Sequence, residues 1–144
     1  MKIYLDNCCF NRPYDDQSHI RIRLEAEAKL RIQEEIRNGI YELVWSYILD
    51  YENSKNPFQE RREQISKWAI YSKEDKVQNN GILVLANTIQ SYGMKKIDSL
   101  HIACAIDAGA DYFLTTDDLI LKKSKYIENI KVTDPIGFVK EELP

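Results

Sequence analysis

The chain has 144 residues, 44% of them hydrophobic and 30% charged, with a formal net charge of -3. That length and apolar content suit one domain over residues 1–144 with a single core, and no apolar run approaches the roughly 18 residues that a membrane-spanning helix needs. The mild negative charge excludes a global attraction for nucleic acid, though not a local basic surface or a metal-mediated contact. MKIYLDNCCF is too briefly apolar, broken by Asp6, to be a secretory signal, and Cys8, Cys9 and Cys104 lack metal-ligand spacing. Reduced thiols, a cytoplasmic location and no membrane partner are therefore expected, and no zinc site.

Lys2 to Leu5 is a short β-prone run of the kind that α/β domains place as a central parallel strand. Asp6, Asn7, Cys8 and Cys9 follow at its carboxyl end, where open parallel sheets put their ligand sites, with capping of a turn by Asp6 or Asn7 as the alternative. Asn11 to Gln17 reads as a polar loop. The spacing of Leu24, Ala28, Ile32 and Ile36 predicts a helix over Ser18 to Arg37, its charges facing water and Asn38-Gly39 stopping it. Ile40 to Val44 reads as a second strand, with Leu43 and Val44 as its apolar centre.

The stretch WSYILDYENSKNP is the most informative local pattern. If Ser46 begins a helix, Trp45, Ile48, Leu49 and Glu52 fall at i, i+3, i+4 and i+7, so the acid completes the inward stripe while Asp50 lies on the wetter face. An inward carboxylate is costly unless it is paired, hydrogen-bonded or bound to a cation; the alternative is a Glu that reaches past the helix end. Asn56-Pro57 predicts a further helix start, with Phe58, Arg62, Ile65 and Ala69 on one face and Trp68 and Tyr71 packed nearby. Ser72 to Asn80 is polar, a turn and the start of a helix, and Ile82, Leu85, Ala86 and Ile89 carry a 3.6-residue stripe up to Gly93.

From Ile97 to Ala108 the chain is apolar almost all round, as in a helix buried among other elements, yet Asp98 stands in its first turn. After Gly109 a short buried strand, Tyr112 to Leu114, ends in Thr115, Thr116, Asp117 and Asp118. Taken alone, Asp98 reads as an acid at a helix start and Thr-Thr-Asp-Asp as turn chemistry. Lys122, Lys123 and Lys125 form a small basic run, Ile130 to Val132 suggests a last strand, and Asp134-Pro135 opens a terminal helix.

Four acids thus occupy privileged places: Asp6 and Asp117 after strands, Asp98 at the start of a buried helix and Glu52 on an inward helical face. Gathered at one end of a sheet they would repel and raise one another's pKa, so keeping them ionised needs a cation, and oxygen-only ligands suit Mg²⁺ or Mn²⁺. Such an ion can polarise a phosphodiester, acidify an attacking water and stabilise the leaving oxygen. On this reading Asp6, Asp98 and Asp117 hold the metal, Glu52 serves as ligand or base, and Thr115 or Thr116 orients a carboxylate or the water.

An N-terminal strand ending in Asp6, Ser46 and Glu52 in SYILDYE, Asp98 in DSLHIACA, and Thr115 with Asp117 in LTTDD together resemble the PIN-domain ribonucleases, the family that includes VapC-type toxins, from Met1 to about Phe138. The resemblance implies a three-layer α/β/α sandwich with a small, mainly parallel sheet, the four acids in one cleft, and Mg²⁺- or Mn²⁺-dependent cleavage of single-stranded RNA. It also implies an antitoxin protein and a homodimer as candidate partners. The loop NCCFNRPYDDQ is longer and more polar than is usual in the toxin class. A non-catalytic PIN-like module that binds RNA or protein is the alternative, which the full acid set argues against. A haloacid-dehalogenase-type phosphatase fits less well, since it wants a second aspartate two residues after Asp6, where Cys8 stands.

Several neighbouring residues carry two readings. Asn7 is either an amide beside the site or a turn residue, and Asp118 a solvated neighbour. His101, one turn from Asp98, reads first as a hydrogen-bonded interior histidine and second as an orienting group. Cys8 and Cys9 read as small packed residues. Arg12, Arg61, Arg62, Lys95, Lys96 and the Lys122 to Lys125 run are candidate phosphate contacts among otherwise solvated charges.

Overall fold

In the computed structural model, which describes residues 1–143, five strands lie parallel in the order β3-β2-β1-β4-β5. β1 (Lys2–Leu5) is central, flanked by β2 (Glu42–Ser46) and β3 (Ser72–Lys76) on one side and by β4 (Tyr112–Leu114) and β5 (Lys131–Thr133) on the other. Ile3, Tyr4 and Leu5 are all fully buried, as a strand covered on both faces requires. The register sets Tyr4 opposite Val44 and Phe113. On that face Tyr4 stacks on Phe113 and meets His101 of α6 (Lys96–Asp107) edge-on, with α3 (Tyr47–Ser54) and α5 (Asn80–Gln90) packed against α6. On the opposite face Trp45 packs on Phe10 of α1 (Asn7–Asn11) and Tyr112 on Phe138 of α8 (Pro135–Glu142), with α2 (Ile20–Arg37) against both helices. This is the predicted three-layer α/β/α arrangement.

The departures from the sequence reading have physical causes. The polar loop over Asn11 to Gln17 is in part ordered: α1 runs to Asn11, and Arg12–Tyr14 forms a 3-10 turn. The long helix starts at Ile20, with His19 as its cap, instead of at Ser18. Its row of every fourth residue does not all face inward. A step of four residues advances about 400°, so the row slides about 40° per step round the helix, leaving Ile32 and Ile36 buried but Leu24 47% exposed. Nor do all its charges face water. Glu25 and Lys29 are buried.

The second strand is displaced by two residues, from Ile40–Val44 to Glu42–Ser46, because Trp45 and Ser46 continue the ladder by pairing with Asp75 and Lys76 of β3. β3 itself replaces the expected turn within Ser72 to Asn80. As an edge strand, SKEDK needs a partner on only one side and carries the charges that such edges bear, so it shows no apolar alternation. Asn56-Pro57 does not start a helix directly. Asn56 Oδ1 accepts from Phe58 N in a turn, and α4 runs Gln59–Ser66, with Ile65 buried and Phe58 58% exposed. The last strand lies one residue beyond its predicted place, at Lys131–Thr133, and Asp134 caps α8 as expected. Among the described residues no helix is long and apolar enough to cross a membrane.

The order of the strands positions the site. The chain leaves β1 towards β2 and β3 and then returns past it to β4 and β5, so the direction of winding reverses between β1 and β4, where open α/β sheets open a crevice beyond the strand ends. Asp6 N donates to Leu114 O (2.9 Å), which fastens the end of β1 to the end of β4. Asp6 and the Thr115–Asp117 segment are thereby neighbours.

Candidate active site at the strand ends

Two of the four acids, Asp6 and Asp117, are themselves helix caps, and a third, Glu52, is aimed by a capping serine. Asp6 caps α1, its Oδ1 accepting from Asn7 N (2.8 Å), and Asp117 caps α7 (Asp118–Lys123), its Oδ1 accepting from Leu119 N and Ile120 N. The turn-cap reading is therefore right for these two residues. Ser46 caps α3 through Leu49 N, which fixes the phase of that helix and turns Glu52 inward. Asp50 lies exposed on the outer face and accepts from Trp45 Nε1. Asp98 differs. The cap of α6 is Lys95, which makes no side-chain cap bond, so the half-buried Asp98 carboxyl in the first turn has another cause for its place.

The five predicted site residues come together. One oxygen each of Asp6 and Glu52 and a ring nitrogen of His101 lie within 4.8 Å of one another. Thr115 Oγ1 donates to Asp6 Oδ2 (2.7 Å) and accepts from Asp117 N (3.1 Å), linking the two strand-end acids through one hydroxyl. The Asp98 carboxyl is pushed up to about 6, by burial first and then by the charges of Asp6, Asp117 and Glu52, against the opposing pull of His101. Burial also raises the Asp6 carboxyl, which His101 and the Thr115 hydroxyl hold down in part. Asp118 is the exposed neighbour expected and pairs with Arg21.

His101 is fully buried in a chain of hydrogen bonds. Its Nε2 bonds Glu52 Oε1 and stands 3.8 Å from Asp6 Oδ1, its Nδ1 bonds the Tyr4 hydroxyl (2.6 Å), and that hydroxyl bonds Ser46 Oγ (2.6 Å). With Glu52 ionised, one arrangement gives every atom a partner. Ser46 O–H donates to Tyr4, Tyr4 O–H donates to Nδ1, and Nε2–H donates to Glu52. Burial raises the Tyr4 hydroxyl's pKa well above its usual value and keeps it a donor. The interior-histidine reading is correct, but the group it orients is Glu52 and not Asp98. Sequence reasoning missed Tyr4, which looks like any aromatic core residue; its place beside Ser46 follows only from the extension of β2 to Ser46 and its register with β1.

Cys8 Sγ lies 3.5 Å from both Asp6 Oδ2 and Thr115 Oγ1, while Cys9 is buried in the core as read; all three cysteines are free. Asn7 Oδ1 is buried without a hydrogen-bond partner among the described residues. It lines, with Asn11, Glu52, Asn56, Phe58 and Arg61, a cleft of about 250 Å³ that opens beside the acids. Of the candidate phosphate contacts, Arg12 is committed to Asp15 and Glu25, and Arg62 to Asn56 O, whereas Arg61 lines this cleft while pairing with Asp15.

No protein-family model matches the sequence, and no curated protein matches it. Solved structures do. The crystal structure of FitAcB from Neisseria gonorrhoeae is similar with a TM-score of 0.61 at 13% identity, over 92% of this chain and 97% of that one. VapBC2 from Rickettsia felis, bound to a DNA fragment from their promoter, is similar with a TM-score of 0.57 at 15% identity, over 93% of this chain and 98% of that one. At these identities the likeness is one of architecture: the chain has a PIN-like fold.

Proposed function

We propose that the protein is a metal-dependent endoribonuclease that hydrolyses phosphodiester bonds of single-stranded RNA, and that it acts as the toxin of a toxin-antitoxin pair. The observation that carries this reading is the convergence of Asp6, Glu52, Asp98 and Asp117 at the sheet's switch point. The donor set fits Mg²⁺ or Mn²⁺. It offers carboxylate oxygens, and one oxygen of Asp117 remains free beyond its cap bonds. The Asp98 carboxyl is raised by burial first and then by the charges of the neighbouring acids, and a divalent cation would relieve the second of these.

On this reading Asp6, Asp98 and Asp117 hold the ion, with Glu52 as a further ligand or as the base towards the attacking water. When bound, the ion supplies Lewis-acid polarisation of the phosphodiester and stabilises charge on the leaving oxygen. Thr115 fixes the Asp6 carboxylate and the Asp117 backbone in one bond pair, so both acids keep their aim. The His101 N–H holds one Glu52 oxygen and leaves the other for the cleft. The pairing of the VapBC2 complex and the resemblance to VapC-type toxins support an antitoxin partner, and a homodimer is the further assembly we propose.

The test is cleavage of a mixed panel of single-stranded RNAs by wild type and Asp98→Asn, with Mn²⁺, with Mg²⁺ and with chelator. Cutting by wild type alone, and only with metal, is the expected result. No cutting by the folded wild type under any condition would overturn the nuclease reading in favour of a binding module.

A further inference from the structure

A second cavity, of about 170 Å³, lies between α2 and α4. Lys29, Gln33 and Arg37 stand at successive i, i+4 positions of α2 and line it, facing Gln64 of α4 and the Trp68 ring. Lys29 is 2% exposed and Gln33 4%. The Lys29 ammonium sits 4.9 Å from the Phe10 ring centroid and 5.5 Å from that of Trp68, and the Arg37 guanidinium lies 4.7 Å over the same indole. Among the described residues no carboxylate pairs with Lys29, and burial, with Arg37 adding to it, pushes its ammonium down to about 7. A side chain needed only for packing would not carry this charge, since methionine fills a similar volume without the desolvation cost.

The cavity adjoins the carboxylate cleft. Tyr14 lines it, the Arg61 guanidinium lies 5.6 Å over Tyr14 and 4.6 Å over Phe58, and Arg61 and Phe58 line the cleft that holds Glu52. Between Glu52 and the cavity the Arg61 cation thus lies between two aromatic rings, Phe58 and Tyr14, which are 58% and 44% exposed, the combination that single-stranded nucleic acid uses. Two cations and two amides approach the cavity from both walls, a donor set matched to an anion with several oxygens.

We propose that this cavity is a phosphate-binding site, filled by a backbone phosphate of the RNA strand whose scissile bond lies at the carboxylates; its assignment to a strand rests on the nuclease reading above. The test uses the full chain in chelator, so that nothing is cut. Inorganic phosphate is titrated against chloride at equal ionic strength while the melting temperature is followed, and a short fluorescein-labelled RNA is bound by anisotropy, in wild type, Lys29→Met and Arg37→Gln. Phosphate should raise the wild-type melting temperature. Lys29→Met should melt higher than wild type without phosphate, lose the phosphate response and bind RNA roughly tenfold more weakly, the worth of one charge-assisted hydrogen bond. Arg37→Gln, on the exposed rim, should weaken the phosphate response and the RNA affinity in the same direction by less.

A phosphate response absent from wild type, or one that survives in both variants, would overturn the site. A lower melting temperature for Lys29→Met would show the lysine to be a structural partner of the rings and overturn it also. A phosphate response that needs Lys29 beside an RNA affinity that does not would overturn the strand as source and leave the site to free phosphate. Failure of the nuclease reading shows separately, in metal-dependent cleavage.

Discussion

The buried Glu25 and the buried or half-buried carboxylates at the strand ends are treated in opposite ways in this protein. Glu25, fully buried on α2, is neutralised by the chain itself: Arg12 Nε and Arg21 Nε approach its two oxygens at 3.0 and 3.3 Å. At the strand ends Asp6, Glu52, Asp98 and Asp117 share no arginine or lysine among the described residues, only an imidazole and neutral hydroxyl and amide donors. The chain can therefore bury a carboxylate with its counter-charge when structure alone is at stake. Where it withholds one, the acids are left in the arrangement that the proposed cation would neutralise.

The largest expected effect sharpens this contrast. Asp6→Asn should leave the fold intact and, if Asp6 is the metal ligand proposed above, lower metal-dependent RNA cleavage at least roughly a hundredfold, several kcal/mol of transition-state stabilisation; single-turnover rates with circular dichroism as the fold control check it. Breaking the other member of the comparison should do the reverse. Arg12→Ala leaves the Glu25 carboxylate with only the half-exposed Arg21, so urea denaturation should show a loss of about 2–3 kcal/mol.

Protonation gives a further handle on the strand-end group. The Asp98 carboxyl titrates near 6 when folded, above its ordinary value of 3.8. Between these values the folded chain holds the proton and the unfolded chain has lost it, so the stability of the metal-free protein should fall as pH rises from about 4 to 6, by on the order of 2 kcal/mol, and then level off. Asp98→Asn should remove that fall and be the more stable protein at neutral pH. Smallest is the effect of Tyr4→Phe, which keeps the ring packing but deletes the donor to His101. Glu52 would be held less firmly, and Mn²⁺ affinity, read by electron paramagnetic resonance, should weaken by under about tenfold.

Most of the carboxylate cluster was legible because capping places acids at the strand ends where open parallel sheets gather their ligand sites. Asp6 and Asp117 follow short apolar runs, Glu52 completes a stripe set by Trp45, Ile48 and Leu49, and Asp98 interrupts an otherwise apolar helix. The sheet order was not legible, since β3 is a charged edge strand whose stability comes from backbone pairing with β2 and from ion pairs such as Lys2–Glu74 and Lys76–Asp107. Nor was the fate of Glu25 and Lys29. Which charges of α2 go inside depends on the 3-10 turn that brings Arg12 across and on the rings of Phe10 and Trp68, contacts distant in sequence that no periodicity encodes. His101 was visible as an interior histidine, but its partner became visible only when α3 and α6 were seen side by side.

The central claim is that the strand-end acids are kept for a divalent cation, and Mn²⁺ binding by calorimetry at about pH 6, near the Asp98 pKa, tests it most directly. Wild type should bind Mn²⁺ and release protons as it does so, because the ion displaces the proton that Asp98 holds at that pH, and Asp98→Asn should bind at least roughly tenfold more weakly with less proton release. Equal affinity and equal proton release in the two proteins, or no binding by either while both are folded, would contradict the account.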